Sequence, residues 1–420
     1  MSITNDAPRA LRAWLLVALG FCTLALSYSS RSALSMAMPI WERSFEWPRT
    51  TLSLAAALAM LMMALVAPLV GSVVDRYGAR VVLGGGLASL ASGMFIVARL
   101  DSPDQVWLLF VGFSLLGGLG FGSIAQHVFA TVIAHRFPRR AGLPTGISLS
   151  GSSAGQLLVL PLLSLLIAGG VWQAGFWGLG AVALLLIPLT VAILSEGNSK
   201  APGSRPDVPT PASSVRAQLL ALARSGTFHA LFWSYLICGF TTSGVIETHF
   251  LPYANLCGFA PVPSATAFGI LSGFNLLGMI LAGWLADRMH RPLLLFAIYL
   301  ARALCFLLLL RIGDNYELLL AFAVLFGLFD YSTVPVTTGL LSAHTGIRSL
   351  GLALGLLSAG HALGGAMGAY LGGWFYDRTG LYDSLWWVSI LLAVAAALMV
   401  VGLRNNAAKA TADLMNPETA

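Results

Sequence analysis

Seven ionisable or strongly polar side chains stand inside stretches that are otherwise apolar. Arg31 lies in SYSSRSALS, Glu247 and His249 in VIETHFLP, Arg302 in YLARALCF, Asp330 and Tyr331 in LFDYSTVP, and His361 in SAGHALGG. A guanidinium in such a setting offers a planar fork that matches a carboxylate. A histidine beside a carboxylate can take and release a proton near neutral pH. The chemistry on offer is therefore anion recognition by Arg31 and proton handling by Asp330, His361 and Glu247. Tyr331 and His361, with Gln126 and Asn275, are candidate substrate contacts. Each has a plainer alternative. Arg31 can snorkel to a surface, Glu247 and His249 can sit at a wet rim, and Gln126, Gln156 and Asn275 can be hydrogen-bond partners between helices. Asp330 can be a fixed counter-charge for Arg302. No nucleophile elbow, phosphate loop or metal-ligand spacing is present, so no catalytic residue, metal or cofactor is expected. The four cysteines, Cys22, Cys238, Cys257 and Cys305, form no disulfide framework.

The elements that must position these groups follow from composition. Of 420 residues, 57% are hydrophobic and only 10% charged, against about 25% charged in soluble domains. Apolar runs of spanning length occupy 13–38, 50–70, 81–99, 106–132, 143–168 and 174–194. Six more occupy 229–252, 264–286, 292–312, 317–342, 350–372 and 384–403. Each is close to the ~20 residues a bilayer crossing needs. The fold class expected is an all-α membrane protein with twelve transmembrane helices in two six-helix halves. The halves are residues 1–195 and 225–404. A Pro/Ser-rich linker, 196–224, reads as mobile, and a polar tail covers 405–420.

Twelve alternating spans place sixteen of the 23 Lys and Arg residues on the side of the termini and five on the other, with Arg31 and Arg302 inside spans. The positive-inside rule then puts both termini in the cytoplasm of an inner membrane. The first apolar run has no cleavage site after it and is expected to be retained. The net charge of +6 forms no stripe, so it suggests contact with lipid rather than nucleic acid.

The second span of each half ends in a related sequence. Gly71-Ser-Val-Val-Asp75-Arg76-Tyr-Gly78-Ala-Arg80 follows one, and Gly283-Trp-Leu-Ala-Asp287-Arg288 follows the other. Two copies of G-x-x-x-D-R in register imply two related halves. Asp and Arg at a membrane surface can pair with a neighbouring helix end and its dipole. The residues Gly71, Asp75, Arg76, Gly78, Arg80, Asp287 and Arg288 are thus read as a conformational latch. The glycine runs at 84–86, 117–122 and 364–365 read as helix packing.

On this signature loop the chain resembles the major facilitator superfamily over essentially its whole length. FEWPRTTLSLA (45–55), GLPTGISLSGSSAG (142–155), FDYSTVPVTTGL (329–340) and GGWFYDRTGLYDSLWW (372–387) resemble the bacterial relatives of the monocarboxylate and oxalate/formate transporters. In that branch an arginine is typical in the eighth helix, where this chain has Gly278. The helix-four arginine and helix-five Gly-Pro turn of drug antiporters are missing as well. The resemblance implies a secondary active transporter, not an enzyme, that moves a small organic anion by alternating access, with protons as the coupling ion. The alternative is an efflux transporter for hydrophobic or drug-like compounds.

Overall fold

The protein is described here by a computed structural model over residues 6–137, 142–195, 215–286 and 288–403. All regular structure among these residues is helical. Twelve long helical segments are labelled α1 to α12. The first three are α1 (Asp6–Phe45), α2 (Arg49–Tyr77) and α3 (Ala79–Val97). α4 is built in pieces: Val106–Leu109, a π-helical stretch Phe110–Gly117, Gly118–Ser123 and, after a break at Ile124 and Ala125, Gln126–Arg136. α5 is Gly142–Ala168 and α6 Trp172–Ser195. α7 runs through Gly226–Gly239, a π stretch Phe240–Ile246 and Glu247–Leu256. Then come α8 (Pro261–Ala286), α9 (Arg291–Leu309), α10 (Tyr316–Leu341), α11 (Leu352–Thr379) and α12 (Asp383–Val401). The connection between α10 and α11 stays helical, so the chain turns between two crossings without an open loop.

Eleven of these segments are long and apolar enough to cross a membrane. The twelfth, α7, carries Thr241, Thr242, Ser243, Glu247, Thr248 and His249. It tolerates them because residues 237–246 are all buried in protein, away from lipid. Lipid-facing rows are purely apolar instead. Leu158, Leu162 and Leu165 on α5, and Leu277, Ile280 and Leu281 on α8, stay at least half exposed, which only a hydrocarbon solvent accommodates. Turns between consecutive helices fall at glycines with positive φ: Gly78, Gly170, Gly258, Gly313 and Gly380.

The expected linker differs from the structure at its end. Val215–Ala223 is a short helix, anchored by buried Leu222 in the same apolar cluster as Phe228, Leu295 and Val400. Residues 196–214 and the tail from 404 lie outside the described residues. The glycine runs divide too. Gly120 abuts Gly86 O, and Gly364 abuts Leu236 O, where any β-carbon would clash, whereas Gly84 and Gly85 face open space.

The packing has two-fold pseudosymmetry. In the first half α1 packs on α5 through Gly151 and Gly155, and in the second α7 packs on α11 through Gly239 and Gly364. Between halves, α1 meets α7, α2 meets α11, and α5 meets α8. This exchange of equivalent pairs follows from the internal repeat read in the sequence.

Candidate functional site

The helices at the pseudo-two-fold axis, α1 and α7, run side by side and carry three polar contacts between the halves. Arg31 Nη2 donates to Glu247 Oε2 at 2.7 Å. One turn further along α1, Ser35 Oγ donates to the Thr248 carbonyl at 2.7 Å. Near the helix ends, Arg43 donates to Asn255 Oδ1 at 2.6 Å, across 212 positions of sequence. That separation equals the spacing of Asp75 and Asp287, so α1 touches its own repeat counterpart.

Arg31 and Glu247 are nearly buried, at 13% and 10% side-chain exposure. Isolated at that depth, a charge costs ~2.5–3.5 kcal/mol or more. The pair avoids this through a closed set of partners. Tyr331 Oη donates to Glu247 Oε1 at 2.7 Å, and the Arg31 guanidinium lies 5.0 Å from the centroid of the Tyr28 ring. The π stretch of α7 ends at Ile246, directly before Glu247. Such a stretch rotates the angular register of the helix beyond it and often marks functional sites. A small pocket opens beside the pair, between α1, α2, α4 and α7. Ser32, Ser35 and Thr248 line it with Arg31 and Glu247, and Met60, Met63, Phe113 and Phe121 form its apolar wall.

Tyr331 reaches Glu247 because α10 is broken there. Pro335 has no N–H to return to the Tyr331 carbonyl, and the regular helix stops at Asp330 and resumes at Thr333. Asn275 of α8 stitches the break. Its Oδ1 accepts from the Tyr331 backbone N–H at 3.2 Å, and its Nδ2 donates to Asp330 Oδ2 at 2.9 Å. Arg302 of α9 completes this second cluster. It donates to Asp330 Oδ1 at 3.3 Å and to Cys238 Sγ at 3.2 Å. Cys238 also shares a 3.4 Å contact with Thr333 Oγ1.

Asp330 thus meets Arg302 at 3.3 Å, the contact that the plainer of its two readings supposes. His361 borders the same cluster through Cys238, with no contact to Asp330 among those of the described residues: its ring packs against Tyr235 with centroids 4.9 Å apart, and its Nε2 lies 3.5 Å from Thr242 Oγ1. Gln126 donates to Ser152 Oγ at 3.2 Å, a contact within the first half. Gln156 does bridge the halves, donating to Ser32 Oγ at 3.1 Å and accepting from Ser272 Oγ at 2.9 Å. His249 turns away from Glu247. It is fully buried, with Nδ1 3.2 Å from Tyr382 Oη and Nε2 2.8 Å from the Ala369 carbonyl.

Of the latch residues, Asp287 lies outside the described residues, as do the surroundings of Gly71 and the side chains of Asp75 and Arg76. Gly78 holds the α2–α3 turn at φ 84, and Arg80 is exposed. Arg288 folds back along α8, donating to the Trp284 carbonyl at 3.1 Å with its guanidinium 4.2 Å from the Trp284 ring centroid.

Sequence reasoning missed a polar cluster at the end of the bundle remote from the termini. Arg49, the first residue of α2, is 3% exposed. It pairs with Glu42, donates to Tyr382 Oη at 3.1 Å and lies 3.6 Å from the Tyr376 ring centroid. The signal available was FYDRTGLYD, with two tyrosines and two aspartates between adjoining spans.

A sequence model of the Major Facilitator Superfamily matches residues 20–313 and 265–414. The uncharacterized MFS-type transporter YcxA of Bacillus subtilis (strain 168) is 27% identical over 89% of each chain. Human monocarboxylate transporter 11 is 28% identical over 93% of this chain and 82% of its own length. Among solved structures, a D-xylose-proton symporter superposes with a TM-score of 0.76 at 18% identity, covering 94% of this chain and 98% of that one.

Proposed function

The chain belongs to the major facilitator superfamily of membrane transporters, and we propose that it carries a small organic anion, a carboxylate in the first instance, together with a proton. The observation that supports this reading is the Arg31–Glu247 ion pair between the halves, capped by Tyr331. Arg31 is a carboxylate-binding fork already occupied by a carboxylate of the protein. A substrate anion that takes the fork displaces Glu247. The site then holds one cation and two anions, which its low-dielectric surroundings disfavour. A proton on Glu247 restores the original balance, so anion and proton enter together. The relative named a monocarboxylate transporter agrees in ligand class with this fork.

Transport then proceeds by rocking of the halves about the midplane site. We place the termini in the cytoplasm of an inner membrane, from the positive-inside distribution. Asp75, Arg76 and Asp287 act as the latch on that side. The contacts Arg43–Asn255 and Arg49–Tyr382 close the other.

The apolar wall of Met60, Met63, Phe113 and Phe121 favours a second reading, export of hydrophobic compounds. Uptake into proteoliposomes separates the two. A panel of short carboxylates, with and without a pH gradient, should show saturable uptake that an inward proton gradient accelerates. Transport of neutral or cationic apolar compounds with no carboxylate uptake would favour export instead.

A further inference from the structure

The end of α11 carries a third copy of the latch sequence, on the opposite face of the membrane from the first two. Gly373-Trp-Phe-Tyr-Asp377-Arg378-Thr-Gly380 repeats the G-x-x-x-D-R of residues 71–76 and 283–288, and repeats the Gly71-to-Gly78 spacing as well. The likeness extends to geometry. Arg378 lies 3.8 Å from the centroid of the Trp374 ring, four residues back, as Arg288 lies 4.2 Å from that of Trp284. Gly380, like Gly78, takes positive φ to turn the chain into the next helix.

In this copy the aspartate is described, and it crosses between the halves. Asp377 Oδ1 accepts from the Arg49 backbone N–H at 3.0 Å, and Oδ2 from the Thr50 N–H at 2.7 Å. One carboxylate thus caps two free N–H groups at the start of α2, where the helix dipole favours negative charge. Gly373 allows the approach. A β-carbon there would lie 2.5 Å from Ser53 Oγ and 2.7 Å from the Arg49 carbonyl. The Arg49 side chain enters the other half beside the cap, against Tyr376 and Tyr382, and Tyr382 is in turn held by His249 of α7.

We propose that Asp377 and Gly373 form a second latch, which holds the halves together at the end remote from the termini and must release before that end can open. The molecule then has the same device on both faces. Each copy ends the second or fifth helix of a half, positions that inverted repeats make equivalent. The inference does not depend on which compound is carried, because its test reads conformation without substrate.

The test places spin labels at Glu46 and Leu381, exposed positions in the loops flanking the contact. The full chain, with its native cysteines replaced, is studied in lipid nanodiscs by pulsed dipolar distance measurement. The latched protein should give one short distance. Asp377→Asn should move the balance toward a longer distance by roughly two- to fivefold, as expected when an exposed charge leaves a helix N-terminus. Gly373→Ala, which changes no charge, should produce the same longer distance. Asp383→Asn, an exposed carboxylate at the start of α12, serves as the charge control and should leave the distribution unchanged. Unaltered distances in Asp377→Asn or Gly373→Ala would overturn the proposal. So would an equal shift in Asp383→Asn. Failure of both latch variants to fold would overturn it too, because a contact made in only part of the cycle is dispensable for folding.

Discussion

Arg31 and Glu247 lie 216 positions apart and meet at 2.7 Å, joining the two halves at their pseudo-two-fold axis. The pair is shielded enough to be strong and is bordered by a pocket, so an incoming anion can compete for its cationic partner. On the same helix pair, the Ser35–Thr248 contact borders this pocket too but carries no charge, and Arg43 meets Asn255 nearer the helix ends.

The first prediction rests on the shape of the fork. Arg31→Lys keeps the charge but loses the planar, two-donor geometry. It should lower carboxylate uptake by roughly tenfold or more, the loss of about one charge-assisted hydrogen bond, with expression and melting temperature near those of the parent. Concentration dependence of uptake in proteoliposomes measures it. Uptake equal to the parent at all concentrations would remove Arg31 from the binding site.

The second concerns Arg302 and Asp330. Arg302 is fully buried, and Asp330 is its only acidic partner among the described contacts. Asp330→Asn leaves an uncompensated buried charge and should destabilise the protein by about 3–5 kcal/mol. Asp330→Asn combined with Arg302→Gln should recover most of that loss. Thermal unfolding in detergent reads both. A double variant no more stable than the single one would show that the pair does not act as a unit.

Much of this architecture was legible in the chain because lipid leaves few alternatives. Apolar runs of spanning length can only be helices, so the twelve segments and the repeat followed from hydropathy and from G-x-x-x-D-R. Arg31 and Glu247 were legible as costly intramembrane charges at matching depths. What the sequence withheld were rotations about helix axes. Glu247 and His249 are two residues apart, which on a helix points them about 200° apart, and the π stretch just before them obscured which one faces α1. Asp330 and His361 both lie mid-span, but the residues that stand between them, Arg302 and Cys238, come from α9 and α7, and depth along α10 and α11 does not tell of them. The Asp377 cap was hidden for another reason: a donor made of backbone N–H groups leaves no mark on residue type.

The third prediction explains the missing arginine of α8. At Gly278 a β-carbon would lie 2.0 Å from the Leu328 carbonyl oxygen and 2.6 Å from its carbon. α8 and α10 therefore touch backbone to backbone, and no side chain fits there. The buried cation of this half comes from α9 instead, as Arg302. Gly278→Ala should cost about 1–3 kcal/mol through overpacking and separate Asn275 from Asp330. A melting temperature equal to the parent's would contradict the close approach.

The last prediction concerns proton coupling and assigns it to Glu247. Three groups were candidates: Asp330, His361 and Glu247. Asp330 is held by Arg302 and Asn275 in a cluster that the pocket beside Arg31 does not reach. His361 packs on Tyr235 and meets Thr242, both on its own half. Glu247 alone lines the pocket and directly touches the proposed anion fork. Its charge therefore changes the affinity of Arg31 for substrate, and by thermodynamic reciprocity the substrate changes the proton affinity of Glu247. Glu247→Gln mimics the protonated carboxyl and keeps an acceptor for Tyr331. It should bind carboxylate more tightly, because nothing anionic competes for Arg31. It should also exchange labelled for unlabelled carboxylate across the membrane at equal pH. Uphill uptake driven by a pH gradient should fall to background, because no proton needs to travel with the anion. His361→Gln and the double variant Asp330→Asn/Arg302→Gln should retain gradient-driven uptake. If Glu247→Gln still accumulates substrate uphill while His361→Gln does not, the coupling group is His361 and the ion pair at the axis is only a gate.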